Sequence, residues 1–137
     1  MLREIKTVHV ANAVTAKGGW VQMEQSDWGR VGQRIRVQYD YANKFASEIR
    51  YGKQKLDGRF LQRADMYGSA GRATFEAERR ADREENGMTE ERNRLHPAEH
   101  CSQCLEENTK GWVEIGTLVP IGERLCRVND HCTLEYR

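Results

Sequence analysis

The four cysteines of this chain constrain its fold more than any other feature. They form two pairs, Cys101-x2-Cys104 and Cys126-x5-Cys132, separated by 21 residues. Thiolates in two such pairs are typical ligands of one tetrahedral zinc ion, and a short tail with few apolar residues gains folding free energy from such an ion. We therefore predict that Cys101, Cys104, Cys126 and Cys132 bind a structural Zn²⁺ that organises the C-terminal third.

The spacing leaves the fourth ligand open. The excursion of 21 residues between the pairs exceeds the usual zinc-ribbon range of about 15–20, and the second pair is wider than a C-x2-C knuckle. His100 and His131 each adjoin a cysteine, and His131 is the first candidate to replace Cys132. Both histidines can also be exposed neighbours, or hydrogen-bond donors to a thiolate. Asp130 is a further candidate ligand.

Other cysteine chemistries fit the chain less well. Disulfides need an oxidising compartment, and the N-terminus lacks the apolar stretch of a secretory signal. A catalytic thiol needs a paired base, and an open catalytic zinc site needs a free coordination position that four thiolates do not leave. The run Asn129-Asp130-His131 is weakly similar to an HNH nuclease motif, but the helix that bears the remaining ligands of such enzymes does not follow. We expect a protein that is not an enzyme.

The composition predicts a thin core. Hydrophobic residues make up 38% of the 137 residues and charged residues 31%, so extended, surface-rich helices are expected. The net charge of +1 implies no bulk attraction to nucleic acid or membranes. Basic residues outnumber acidic ones in residues 1–75, and acidic residues outnumber basic ones in residues 76–107. This bias suits either docking between proteins or two solvated helix faces. No apolar run is long enough to predict a transmembrane helix, and a reducing cytosol is the expected site of synthesis.

Periodicity divides the chain into three predicted regions. Residues 1–25 alternate weakly and predict an arm or short hairpin, residues 26–94 a helical region, and residues 95–137 the cysteine-rich module. One amphipathic helix is predicted from Ser26-Asp27, its N-cap pair, to a stop near Gly52.

A second helix is predicted from about Arg59 to Asn86. The small residues Gly68, Ala70 and Gly71 near its middle predict a close crossing by another backbone, either the first helix or a neighbouring subunit. Thr89 to Arg92 predict one further helical turn. The predicted fold is mainly α: an antiparallel helix pair, a small C-terminal zinc-knuckle module of short strands and loops, and an extended N-terminal arm.

Several stretches resemble the phage head morphogenesis proteins, the minor head proteins of the Mu-like group. They span about three quarters of the chain and are most specific in the tail. The matching stretches are Arg36 to Tyr39, Phe45 to Ile49, Arg63 to Phe75, Thr89 to Arg92, His100 to Cys104, Lys110 to Leu118 and Cys126 to Tyr136. Members of this group often have another cysteine shortly before the last one, where this chain has Asp130.

This resemblance implies a structural virion protein. It implies a location in the virion after synthesis in the host cytoplasm, and partners among the capsid, portal or head–tail connector proteins, in many copies. It also implies a metal-binding role for the four cysteines. The alternative is a small zinc-containing nucleic-acid-binding protein, suggested by the basic residues between Arg30 and Arg63 with interspersed tyrosines. A membrane partner is not expected.

Overall fold

The computed structural model describes all 137 residues as a helical part followed by a small sheet-containing module. Two single 3₁₀ turns, Trp20–Gln22 and Arg127–Asn129, occur in the connections. None of the helices combines the length and the apolar composition that crossing a bilayer requires. The helices are α1 (Leu2–Lys17), α2 (Gln25–Arg50), α3 (Gly58–Ser69), α4 (Gly71–Glu85) and α5 (Ser102–Thr109), and the strands are β1 (Glu90–Arg94), β2 (Val113–Glu114) and β3 (Thr133–Tyr136).

The N-terminal segment is helical, so the predicted arm or hairpin over residues 1–25 is wrong. Helix α1 buries Ile5, His9, Ala13 and Lys17, which recur every four residues on one face. Two of these four residues are polar, which is why an apolar pattern alone did not reveal the helical period. Gly18, with a φ of 86°, ends the helix in the left-handed conformation that glycine adopts without strain.

Helix α2 agrees closely with the first predicted helix. Its N-cap is Glu24, whose carboxylate and that of Asp27 form a reciprocal capping box. The buried side chains Val31, Ala42 and Phe45 face the rest of the helical part. The apolar period therefore gave this element correctly, while its cap lies two residues before the predicted one.

The second predicted helix is divided at Ala70 into α3 and α4. The predicted helix pair is instead a bundle, in which α1 packs against both α2 and α4. A crossing does occur at the small residues. A Cβ atom on Gly71 would lie 2.8 Å from Asn12 Nδ2 and closer still to Val8 Cγ1. The predicted close approach is confirmed, but its partner is α1.

Buried ion pairs join the three packed helices. Lys17 Nζ of α1 lies 2.5 Å from Glu85 Oε2 of α4 and 3.5 Å from Asp27 Oδ1 of α2. Arg30 of α2 contacts both Asp27 and Glu78, the latter at 3.0 Å. The carboxylates of Asp27 and Glu78 are fully buried, so removing either cation would leave an uncompensated charge inside the bundle.

The module contains a three-stranded antiparallel sheet in the order β2-β1-β3, with Glu91 of β1 opposite Val113 and Tyr136. The region predicted to form a helical turn, Thr89 to Arg92, thus contributes the central strand. Its inward side chains are polar, so no apolar alternation marked it as a strand. The module has its own core, formed by Cys104, Leu118, Ile121, Cys132 and Leu134.

The module docks on α4 through backbone and charge contacts. The guanidinium of Arg72 donates to the carbonyl oxygens of Asp130 and Cys132. Glu91 accepts the backbone N–H groups of Gly116 and Leu118, each at 3.0 Å. Its other carboxylate oxygen lies 2.9 Å from Arg80 Nε of α4. The loop after β2 and the helix are therefore fixed by one buried carboxylate.

Candidate metal centre

The first cysteine pair lies at the beginning of α5. Cys101 is the N-cap residue and its Sγ accepts the backbone N–H of Cys104 at 3.4 Å. The first cysteine pair is therefore held in the first turn of a helix. The helix N-terminus presents N–H groups and positive potential to the sulfurs, which favours the thiolate form.

The second pair joins the first through Cys104. Cys126 precedes the 3₁₀ turn at Arg127–Asn129, and its Sγ lies 3.4 Å from Cys104 Sγ. Cys101 Sγ is also 3.4 Å from Cys104 Sγ. All four cysteines are free thiols. Sulfurs brought together from sequence positions so far apart, without a disulfide, are typical of a metal centre.

Two triads of donor atoms share Cys104. The first is Cys101, Cys104 and Cys126, and the second is His100, Cys104 and Cys132; within each triad the donor atoms lie within 4.8 Å of one another. His100 Nδ1 is 3.6 Å from Cys132 Sγ. The predicted fourth ligand, Cys132, thus lies in the cluster beside His100.

The histidine first considered as a replacement for Cys132 is not in the cluster. His131 is exposed and makes no side-chain hydrogen bond, whereas His100 contacts Cys132 Sγ and the carbonyl oxygen of His96. His131 is exposed while the adjacent Cys132 is fully buried, so the two side chains face different surroundings. Adjacency in sequence gave no means of choosing between the two histidines.

Asp130 supports the centre without occupying a donor position in either triad. Its Oδ1 accepts the backbone N–H of Cys132 at 3.0 Å and lies 3.8 Å from Cys104 Sγ. Its Oδ2 lies 3.6 Å from Arg124 Nε. These contacts show Asp130 orienting the backbone at Cys132.

Arg124 contacts the cysteine cluster, and sequence reasoning missed this contact. Its side chain is fully buried, with Nη1 3.9 Å from Cys104 Sγ and 2.8 Å from Asn93 Oδ1. A fixed cation beside several thiolates reduces their mutual repulsion. An arginine two residues before a ligand carries no recognisable signal, since most arginines are exposed.

The thiols differ in acidity. Burial opposes ionisation of Cys101, but hydrogen bonds from the backbone and side chain of Cys104 outweigh it and lower its pKa to about 7. Burial raises the pKa of Cys132 to about 12, with contributions from Cys104 and the Asp130 carboxylate, and burial likewise raises that of Cys126. A cation must therefore displace protons from these thiols, so its binding strengthens as pH rises.

The donor set fits a thiophilic divalent ion. Sulfurs at zinc–sulfur distances of about 2.3 Å in a tetrahedron are about 3.8 Å apart, and the two measured sulfur separations are 3.4 Å. Thiolates with imidazole select zinc over magnesium or calcium, which prefer oxygen. Either triad could therefore hold a metal ion.

Comparison of the chain with protein-family models, curated proteins and solved structures finds no match. The function is therefore inferred from the residues and their geometry.

Proposed function

We propose that the protein is a non-catalytic assembly component whose C-terminal module folds around one structural zinc ion. The observation that carries this proposal is the position of Cys104 Sγ, 3.4 Å from the sulfurs of both Cys101 and Cys126. Cys132 supplies the fourth thiolate, and His100 supports it from the side.

The location of the cluster favours a structural role over a catalytic one. Cys104 and Cys132 are buried in the module core beside Leu118, Ile121 and Leu134. The principal cavities of the molecule are lined by none of the cysteines. An ion with four protein donors in such a place has no position for substrate, but it ties α5 to the segments before and after Asp130.

The setting that we propose is the head of a tailed phage, and it rests on the sequence resemblance. Partners there are capsid, portal or connector proteins. The surface suits association, because large apolar side chains are exposed on several elements: Val21 is 95% exposed, Leu56 75% and Leu61 62%. Contacts with other proteins would remove these side chains from water, which stabilises an assembly.

Metal analysis with native mass spectrometry tests the zinc centre and the tendency to associate together. We expect one zinc ion per chain, and a strong chelator or Cys101→Ser should open residues 95–137 to protease before the helices. Ser102→Ala is the matched control, since Ser102 is an exposed neighbour at the start of the same helix. A protease pattern and far-UV spectrum unchanged by the chelator would contradict the proposal.

The fourth ligand can be identified by paired substitutions. If Cys132 is the ligand, Cys132→Ser should weaken zinc binding by at least about tenfold, whereas His100→Ala should weaken it less. The reverse order would assign His100 as the ligand and leave Cys132 as a buried thiol.

A further inference from the structure

A cavity with both apolar and polar lining residues lies between the helical part and the module, away from the candidate metal centre. Its volume is about 590 Å³, and it is walled by α1, α2, α4 and the segment around Gly122 and Val128. A second cavity of about 560 Å³ shares six lining residues with it and extends it towards α3. We call the two together the seam groove. Each has a size typical of small-molecule sites.

His9 provides the first indication of a ligand. Its side chain lines the groove and the residue is only 2% exposed. Nδ1 lies 2.6 Å from Thr74 Oγ1, whereas Nε2 has no hydrogen-bond partner. A buried imidazole nitrogen without a partner costs stability unless a bound group satisfies it. If the Thr74 hydroxyl donates to Nδ1, the neutral ring offers an Nε2–H donor.

Arginines provide the second indication. Arg34 of α2 lines the groove beside His9 and Arg127 lines its extension, and neither forms an ion pair or side-chain hydrogen bond. Arg30 uses Nε and Nη2 for Asp27 and Glu78, and its Nη1 has no partner. The free donors thus come from both sides of the groove. Glu123 is the one carboxylate in the lining, and it is exposed.

The backbone at Arg127 is the third indication. Arg127 is the one residue other than glycine with a positive φ, 50°. A non-glycine residue in this region costs conformational free energy and occurs more often at functional positions than elsewhere. Here it sits between the metal-binding Cys126 and the groove residue Val128.

The remaining lining has room for a flat organic group. Tyr41 is 58% exposed and its ring has no aromatic partner. Gln33 and Gln38 line the groove beside it with free amide groups. A ring system of nucleobase type can stack on such a tyrosine and exchange hydrogen bonds with such amides.

We propose that the seam groove binds a phosphomonoester of mononucleotide size. The phosphate is held by Arg34 and the Nε2–H of His9, and the planar part lies against Tyr41. Arg127 adds positive charge from the extension of the groove. A phosphate group fits better than a single carboxylate, because its three terminal oxygens can accept from donors on separate elements. The proposal does not depend on which ion the candidate metal centre binds.

Titration of the zinc-loaded, full-length protein with adenosine 5′-monophosphate (AMP) tests the proposal. In NMR spectra we expect shifts of the signals of Arg34, Tyr41 and the His9 imidazole, with the His9 nitrogens reporting an Nε2–H tautomer. Arg34→Gln should weaken binding about tenfold or more, the effect of losing a charge-assisted hydrogen bond. Arg36→Gln is the matched control: it removes an exposed, unpaired charge from the same helix outside the groove, and it should leave the affinity within about twofold.

Three further probes identify the ligand part that is recognised. Adenosine should not bind, inorganic phosphate should bind more weakly than AMP, and a single-stranded oligothymidine without a terminal phosphate should not compete with AMP. The proposal is overturned if about 5 mM AMP moves no groove signal. It is also overturned if Arg34→Gln and its control Arg36→Gln weaken binding equally, or if the oligonucleotide binds more tightly than AMP. Folding of each variant is verified by its far-UV spectrum, and His9→Gln with retained fold should also bind AMP more weakly.

Discussion

Glu76 shows how a single buried carboxylate sets the pH dependence of stability. The residue is 4% exposed on α4, and its Oε2 has no hydrogen-bond partner while Arg79 lies 3.7 Å away. Burial raises the pKa of this carboxyl group. Arg79, Arg72 and Arg124 oppose that effect, and the Asp130 carboxylate adds to it. The folded protein therefore favours the protonated form more than the unfolded chain does.

Glu76→Gln should stabilise the protein at neutral pH. Because the folded pKa is raised, the stability that this group contributes is fully present below the unfolded pKa of about 4.5 and is lost as pH rises through the folded pKa. Glutamine keeps the shape without the charge, so the variant should be more stable by roughly 1 kcal/mol at pH 7 and equal to the parent near pH 4. Urea unfolding of zinc-loaded protein across this range measures the difference.

Glu84→Gln is the control for that comparison. Glu84 is exposed on the same helix and forms no ion pair. The difference in unfolding free energy between Glu84→Gln and the parent should therefore not change with pH. A Glu76→Gln variant that is less stable than the parent at pH 7 would show that the nearby arginines dominate the environment of this carboxylate.

Individual residues of the metal centre were predictable only where spacing carries the chemistry. The spacing singled out four cysteines, and the structure places them, together with His100, in two triads that share Cys104. Their role as zinc ligands stays a prediction. The spacing did not distinguish His100 from His131, because that choice depends on how the folded backbone orients each side chain. Arg124 was missed for a related reason: its role follows from complete burial beside Cys104, and burial of a charged residue has no local sequence pattern.

At the scale of elements, the contact between α1 and α4 decides how closely the bundle packs. Gly71→Ala would place a methyl group against Val8 and Asn12, so these side chains would have to shift or the helices would have to separate. We expect a loss of about 1–3 kcal/mol in unfolding free energy, the usual cost of overpacking. Thermal or urea unfolding monitored by circular dichroism measures the loss.

Gly68→Ala is the matched control in the neighbouring helix. A Cβ atom there meets nothing within 4 Å, and alanine has the higher helix propensity, so this variant should gain up to about 1 kcal/mol. If both alanine variants were equally stabilised, the close approach of α1 to α4 at Gly71 would be incorrect.

Elements were predictable where the buried face is apolar. Helix α2 met this condition through Val31, Ala42 and Phe45, and its bounds were found within two residues. Helix α1 buries His9 and Lys17, and strand β1 buries Glu91 and Asn93. Neither element therefore has the regular spacing of apolar residues by which a helix or a strand is recognised. In each case the polar group has a partner that is distant in sequence, such as Glu85 for Lys17, and a single sequence does not reveal such pairings.

At the scale of the whole molecule, the candidate metal centre and the seam groove share one segment. Cys126 is a donor in the first triad, and Arg127 and Val128 directly after it line the groove. Removal of zinc should therefore disorder one wall of the groove and weaken AMP binding by about tenfold or more. Titration of chelated and zinc-reconstituted protein with AMP measures the change, with reconstitution restoring the original affinity. Equal affinity in both forms would show that this wall holds its shape without the ion.

The general plan of the molecule was predictable, and its connectivity was not. A mainly helical chain with a cysteine cluster near its end is confirmed. The arrangement of α1 between α2 and α4, and the participation of β1 in the module sheet, depend on contacts between distant segments that propensity does not encode. The assignment to a phage particle and the absence of catalysis remain predictions.

Arg72 connects the helical part to the candidate metal centre. It follows Gly71, where α4 approaches α1 most closely, and its guanidinium binds the carbonyl oxygens of Asp130 and Cys132. A neighbouring protein that displaced α4 by even a fraction of an ångström would move the backbone bearing the last sulfur. Docking on the bundle would in this way alter how firmly the ion is retained, although no bundle residue is a ligand. Zinc release rates measured with and without a binding partner would then report mechanical strain across the molecule.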